Sequence, residues 1–285
     1  MPSRKARIIL LVILIVVAII FIGSIAIGVS DGMFSEKIGV VEISGVITES
    51  KDAMEDIVRY KEDDNIKGVI VRINSPGGSV GPSQEIYSEV IKLKAKKKVY
   101  VSMGSVCASG GYYIAVAGEK IYAMPATITG SIGVIMEHMI VEDLFKKIGL
   151  QSNTIKSGAF KDAGTPLRKM KEDEKVYFQG ILDSIHEQFI KVVAQDRKIP
   201  IDAAKKLSDG RIFLGTQAKD LKLVDKIGTF YDTVDDMKKV LNLKGKPVLV
   251  YGKKPFSLMK WLISSMSKEV VSEYFSGMFK YSVSP

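Results

Sequence analysis

Between residues 38 and 148, short apolar runs of β type alternate with amphipathic stretches of helical period. That alternation confines the chain to an α/β architecture. The β-type runs lie at 38–43, 46–47, 68–73, 98–103, 120–124 and 127–131, and helical patterns fill 52–63, 83–96, 110–117 and 137–148. Strand, helix, strand in that order predicts parallel strands. Two glycine pairs, Gly77-Gly78 and Gly110-Gly111, each follow a strand. In open α/β folds, sites form beyond the carboxyl ends of the strands, so both glycine loops are expected to face one site.

The second half reads as more helical. Apolar residues between 168 and 197 recur at 3.6-residue spacing through Phe178, Ile181, Leu182, Ile185, Phe189, Val192 and Val193, which predicts a long amphipathic helix. Shorter helices are expected at 201–207, 216–221 and 233–241. The last thirty residues hold Trp261 with Leu258, Leu262 and Ile263. They read as a core or oligomer helix, or an interfacial membrane helix, with a disordered tail from about residue 276.

Residues 8–29 carry no charge and consist mostly of Ile, Leu, Val and Ala. About 20 such residues cross a bilayer core as a helix. Arg4, Lys5 and Arg7 precede the block, and Asp31 and Glu36 follow it. The positive-inside bias therefore leaves the N-terminus in the cytoplasm and everything after residue 30 outside it. A cleaved signal peptide is the competing reading. Its apolar region spans only about 7–15 residues, and Ala26-Ile27-Gly28 is a weak cleavage site. The block is read as an uncleaved anchor.

The net charge is +9, with lysines clustered at 92–98 and at Lys253, Lys254 and Lys260. Such a balance suits a nucleic acid or a solvated basic face drawn to anionic headgroups. A location outside the cytoplasm favours the second, and no nucleic-acid partner is expected. The single cysteine, Cys107, excludes an internal disulfide and a Cys-only zinc site.

Ser109 opens the helical run Gly110-Gly111-Tyr112. Amides at a helix start are unpaired and favour negative charge. An acyl-transfer enzyme needs two such donors for its oxyanion. The N–H of Gly110 is one candidate, and the Gly77-Gly78 loop can supply the other, since a missing side chain permits close approach. Alone, Ser-Gly-Gly also fits a tight helix–strand contact. The chain has only two histidines, so a Ser/His/Asp site has little to draw on. Lys161, in Lys156-Ser-Gly-Ala-Phe-Lys-Asp162, is the candidate base. A free lysine has a pKa near ~10.4, so the site must desolvate it or place it near another cation. Ser131 can hydrogen-bond the lysine amine. Asp162 can pair with a different cation, because pairing with Lys161 would hold the proton on. Each has a plainer reading, as a turn serine, a loop lysine or a surface carboxylate.

Taken together, Asn74-Ser-Pro-Gly-Gly-Ser79, Met103-Gly-Ser-Val-Cys-Ala-Ser-Gly-Gly-Tyr-Tyr113, Thr129-Gly-Ser-Ile-Gly-Val134 and Lys156-Ser-Gly-Ala-Phe-Lys-Asp162 resemble the bacterial signal peptide peptidase A family of membrane-anchored Ser-Lys peptidases. Asp209-Gly-Arg-Ile-Phe213 and residues 218–228 resemble it too. The likeness covers about 38–245, in the family's order. It implies a Clp-protease/crotonase-like spiral of β-β-α units, preceded by one N-terminal transmembrane helix. It implies Ser109 as nucleophile, Lys161 as base, Ser131 orienting the lysine, and Gly78 and Gly110 as oxyanion positions. It also implies a ring-shaped homo-oligomer in which Ser109 of one copy meets Lys161 of the next. Peptide substrates are implied, namely signal peptide remnants and other short or unfolded apolar peptides, with no metal or cofactor. Cys107 stands where a small residue is usual.

The expected organisation is a basic N-terminus at 1–7, the anchor at 8–29 with membrane lipid as its partner, a linker at 30–37, a peptidase domain at 38–245, and a helical or partly disordered segment at 246–285. His138 and His186 read as helix-surface or core residues, so Cys107 lacks a base. Ser-x-x-Lys strings at 257–260 and 265–268 lack the accompanying penicillin-binding motifs. A crotonase-type acyl-CoA enzyme and an idle membrane-tethered scaffold are the remaining alternatives.

Overall fold

The computed structural model describes residues 13–19 and 36–252. Of the expected anchor, residues 13–19 are helical and exposed, and the remainder lies outside the described residues. Among the described residues, no helix is long and apolar enough to cross a membrane. The segment from 253 onward, with Trp261, also lies outside them.

Eight strands form one sheet: β1 (Lys37–Ser44), β2 (Ile66–Ser75), β3 (Lys98–Ala108), β4 (Lys120–Ala123), β5 (Ile128–Gly130), β6 (Ile212–Leu214), β7 (Lys226–Ile227) and β8 (Val248–Tyr251). The order is β6-β5-β3-β2-β1-β8, with β4 beside β3 and β7 beside β4. Every pair is parallel except β5 with β6. Strand β3 is long enough to serve two neighbours. Its residues Tyr100 to Ser102 pair with β4, and Val106 to Ala108 pair with β5.

Between residues 36 and 252 the helices are α1 (Lys51–Glu62), α2 (Val80–Lys94), α3 (Gly110–Ala115), α4 (Glu142–Lys147), α5 (Glu172–Asp196), α6 (Ile201–Lys206), α7 (Gly215–Asp220) and α8 (Phe230–Val240). Strand side chains alternate between the two faces. Val69, Val71 and Ile73 of β2, with Val99, Val101 and Met103 of β3, enter the larger core, which Ile57, Ile86, Val90 and Phe189 complete from α1, α2 and α5. The intervening Ile70 and Tyr100 join a smaller core under Val234 and Met237 of α8. Both faces are covered, which is why these strands read as continuous apolar runs. At Gly39 of β1, a Cβ would stand 2.7 Å from the Tyr60 ring, so α1 lies against bare backbone there.

Two expectations change. The helix expected over 137–148 begins only at Glu142, and residues 131–141 are irregular. The Val141 N–H donates to the Pro166 carbonyl at 2.8 Å, a tertiary bond that replaces a helical one. Residues 248–251 of the segment set apart at 246 are strand β8, paired with β1, so the sheet extends past the expected boundary.

Candidate active site

Ser109 occupies the junction between β3 and α3, with φ 50° and ψ −122°. Such a conformation costs a non-glycine residue about 1–3 kcal/mol and persists only where its surroundings impose it. Here the Ser109 N–H donates to the Gly130 carbonyl at 2.9 Å, and the Ser109 carbonyl accepts from Tyr113 N–H at 2.9 Å. One bond fixes the residue to β5, the other to the first turn of α3. A sharp strand-to-helix turn of this kind leaves a serine hydroxyl at the top of a sheet. Ser109 is half-buried.

The loop after β2 comes to the same place. The Ile47 N–H donates to the Gly77 carbonyl at 2.8 Å, and the Ser79 N–H donates to the Ile47 carbonyl at 2.7 Å. Backbone groups alternate along an extended segment, so the Gly78 N–H faces away from Ile47. A Cβ on Gly77 would lie 2.8 Å from both the Gly110 nitrogen and the Ser109 Cβ. The Gly78 nitrogen is 3.4 Å from where a Cβ on Gly110 would stand. Two amides, those of Gly78 and of Gly110 at the first position of α3, therefore come close together beside Ser109.

Ser131 follows β5 with φ 51°. Its N–H donates to the Arg211 carbonyl at 2.9 Å, and Gly210 N–H donates to the Ile132 carbonyl at 3.2 Å. The 209–211 turn thus pins the end of β5. Gly78, Ser109, Gly110 and Ser131 all line one cavity of about 560 Å³. Its apolar walls come from Val80 and Tyr113, Val134 and Ile135, and Ile185 and Phe189 of α5.

Lys161 is not among the residues lining this cavity. It is exposed, on the turns between α4 and α5. Its loop packs onto α5 through a Phe160–Tyr177 ring contact at 5.3 Å and the proximity of Gly164 to Phe178. Phe178 precedes His186 of the cavity wall by eight residues, about 12 Å of helix at 1.5 Å per residue. Asp162 does pair with other cations: Lys156 donates to its Oδ1, and Arg168 Nε donates to its Oδ2 at 3.1 Å. These bonds hold the Asp162 carboxyl well below the usual range, the Arg168 bond contributing most.

His186 lines the cavity, a placement that the helical period alone could not distinguish from a core position. Its Nε2 is buried without a hydrogen-bond partner, as is that of His138. Ser83 is a further lining residue; its Oγ donates to the Ser79 carbonyl at 2.8 Å and abuts Gly110. Cys107 is fully buried, and burial pushes its thiol well up, the direction opposite to nucleophilic activation. Among the described residues, no group of His, Cys, Asp and Glu is arranged to hold a metal ion.

The profile of peptidase family S49 matches residues 91–244. An Enterococcus faecium protein provisionally named signal peptide peptidase SppA is 36% identical over 235 residues, covering 78% of this chain and 68% of that protein. Protease 4 of Haemophilus influenzae is 35% identical over 218 residues, 72% of this chain and 35% of its own length. The chloroplastic serine protease SPPA of Arabidopsis thaliana is 30% identical over 250 residues, 87% of this chain and 37% of its own. Among solved structures, a ClpP1 mutant from Listeria monocytogenes aligns with a TM-score of 0.47 at 20% identity, covering 68% of this chain and 92% of that one.

Proposed function

The chain belongs to peptidase family S49 and is a serine peptidase, and from that premise we propose that Ser109 is its nucleophile and that Lys161, from a neighbouring copy, is its general base. The acyl-CoA and idle-scaffold alternatives give way to this membership. One observation carries the reading: Ser109, Ser131 and the Gly78 and Gly110 amides converge on one cavity at the carboxyl ends of β2, β3 and β5.

In the proposed reaction, Ser109 Oγ attacks the peptide carbonyl carbon as Lys161 Nζ takes its proton. The oxyanion is held by the Gly78 and Gly110 N–H groups. Lys161 then returns the proton to the leaving amine, and the acyl-enzyme is hydrolysed by a water that the same amine activates. Ser131 hydrogen-bonds the amine and sets its direction. Water keeps a lysine protonated at neutral pH, so a base in this position needs cover.

A second copy would supply that cover. Ile135, Met139, Leu144, Ile148 and Ile155 are 57–96% exposed, so the stretch from 135 to 155 shows large apolar side chains to solvent that a second copy would bury. Lys161 lies in the same region of sequence, on a loop that packs against Tyr177 and Phe178 of α5 and does not line its own chain's cavity. These facts support a Clp-protease-like spiral assembled into a ring with shared sites. The apolar cavity walls suit short or unfolded apolar peptides, including released signal peptides as the names of the relatives suggest. The apolar block at 8–29 supports attachment to the cytoplasmic membrane with the catalytic domain outside.

A second reading gives the base to His186, because it lines the cavity and Lys161 does not. The test is hydrolysis of an apolar fluorogenic peptide by full-length protein in detergent. Ser109→Ala and Lys161→Ala are each expected to be inactive. Mixed and allowed to exchange, they are expected to regain about a quarter of parental activity, the share of interfaces in a random ring that pair an intact serine with an intact lysine. Full activity in Lys161→Ala, with none in His186→Gln, would transfer the role to His186.

A further inference from the structure

One guanidinium joins the lysine loop to the helix that walls the nucleophile's cavity. Arg168 donates through Nε to Asp162 Oδ2 at 3.1 Å, through Nη2 to Glu174 Oε1 at 2.5 Å and through Nη1 to Glu174 Oε2 at 2.9 Å. Glu174 is the third residue of α5, and its side chain is 2% exposed. It also accepts from the Lys171 N–H at 2.9 Å, so it closes the first turn of the helix. The other oxygen of Asp162 is taken by Lys156, whose amine also donates to the Ala159 carbonyl at 2.6 Å. Lys156 and Arg168 balance Asp162 and Glu174, so the four-residue group is neutral as a unit. Lys161 is adjacent to Asp162 in sequence yet has no ion-pair partner among the described residues.

We propose that Arg168 is a positioning residue for Lys161, one that fixes the lysine loop to α5 and keeps the Asp162 carboxylate turned away from the Lys161 amine. The proposal rests on the reading of Lys161 as the base. A carboxylate one residue from a general-base lysine is a hazard, because an ion pair would stabilise the ammonium and hold its proton. Arg168 removes the hazard by engaging Asp162 itself. A lysine at 168 would do this less well, since an ammonium lacks the rigid fork with which the guanidinium takes both Glu174 oxygens and Asp162 Oδ2 at once. The charged and titratable groups facing this loop are Lys156 within it, Arg168 after it, Lys171 at the N-cap of α5, Glu174 and Tyr177 within α5, and Glu142 of α4, which accepts from the Lys169 N–H at 3.3 Å. Of these, only Lys156 and Arg168 hold Asp162.

The experiment follows kcat against pH in full-length protein for the parent, Arg168→Gln, Asp162→Asn and the double variant, with Lys161→Ala as reference. Arg168→Gln is expected to lower kcat about tenfold to a hundredfold near neutrality, with KM within about twofold. It is expected to move the basic rise of kcat to higher pH by about one unit. Adding Asp162→Asn should bring that rise back to its parental position without restoring all of kcat. A purely structural role for Arg168 would give no such reversal. A parental profile in Arg168→Gln, or a shifted rise that Asp162→Asn leaves in place, overturns the proposal. If Arg168→Gln does not fold, Asp162→Asn alone decides. The rise should stay at its parental pH, and a fall of a unit or more would mean that Asp162 already pairs with Lys161. Activity surviving in Lys161→Ala would instead defeat the base assignment, whereas an inactive Lys161→Ala beside a parental Arg168→Gln defeats the brace alone.

Discussion

Ser109 and Ser131 stand next to each other at the ends of two paired strands, directly after the Ala108–Gly130 pair, and both have positive φ, 50° and 51°. Each is tied through its N–H to the neighbouring strand, Ser109 to Gly130 at the end of β5 and Ser131 to Arg211 just before β6. The backbone that aims one hydroxyl therefore also aims the other. Ser131→Ala is expected to reduce kcat by about 10²-fold, the loss typical when an orienting contact is removed, while leaving KM and thermal stability near parental values. Steady-state kinetics with a melting curve on the same sample checks this.

Gly77 offers a sharper steric test. Its φ is 104°, and a Cβ would meet the Gly110 nitrogen and Ser109 Cβ at 2.8 Å, neither of which can yield without moving Ser109, the proposed nucleophile. Gly77→Ala is expected to be inactive and about 1–3 kcal/mol less stable. Gly81, where a Cβ meets nothing within 4 Å, provides the control: Gly81→Ala should keep parental activity.

Tyr112 of α3 is fully buried and donates to the Leu223 carbonyl at 2.9 Å, tying the helix behind Ser109 to the turn after α7. Tyr112→Phe keeps the ring but strands that carbonyl. Chemical denaturation should show a loss of about 1–3 kcal/mol.

Acid sensitivity has a traceable component at Asp236 of α8. Its carboxylate accepts from Tyr122 and from Lys120 at 2.9 Å, and these bonds, that of Tyr122 foremost, hold its pKa down at about 2. A carboxyl lowered on folding contributes stability that is fully present above its unfolded value of 3.8 and is lost as pH falls towards about 2. Melting temperature between pH 5 and pH 2 should therefore fall less steeply in Asp236→Asn than in the parent, with the variant already less stable at pH 5.

Ile155 is 96% exposed in the single chain. If it sits in the proposed contact between copies, Ile155→Glu should shift the protein to smaller assemblies in light scattering and lose hydrolysis in parallel. An unchanged assembly would remove Ile155 from that contact.

The parallel core was legible because its strands are buried on both faces, which writes itself as runs such as residues 68–73. Strands β6, β7 and β8 escaped because they span three, two and four residues and sit at or near sheet edges. The meeting of the Gly77-Gly78 loop with Ser109 followed from the rule that loops at strand carboxyl ends share a side. The position of Lys161 did not follow. It depends on how residues 131–171 fold, and there the sequence pattern misled: Val141 bonds to Pro166 instead of continuing a helix. The sequence left Asp162 free to pair with a cation other than Lys161, but naming Arg168 required the packing of α5. Nothing in local sequence marked His186 as a cavity residue instead of a core one.

The separation of Lys161 from its own cavity also has a consequence for timing. With two reactive halves held apart on a single chain, a newly made copy is inert on the proposed reading. Catalysis then obeys mass action between copies, rising more steeply than in proportion to concentration when the protein is dilute and becoming proportional to it once assembly is complete. Confinement to a surface would raise local concentration and switch the enzyme on without any processing step.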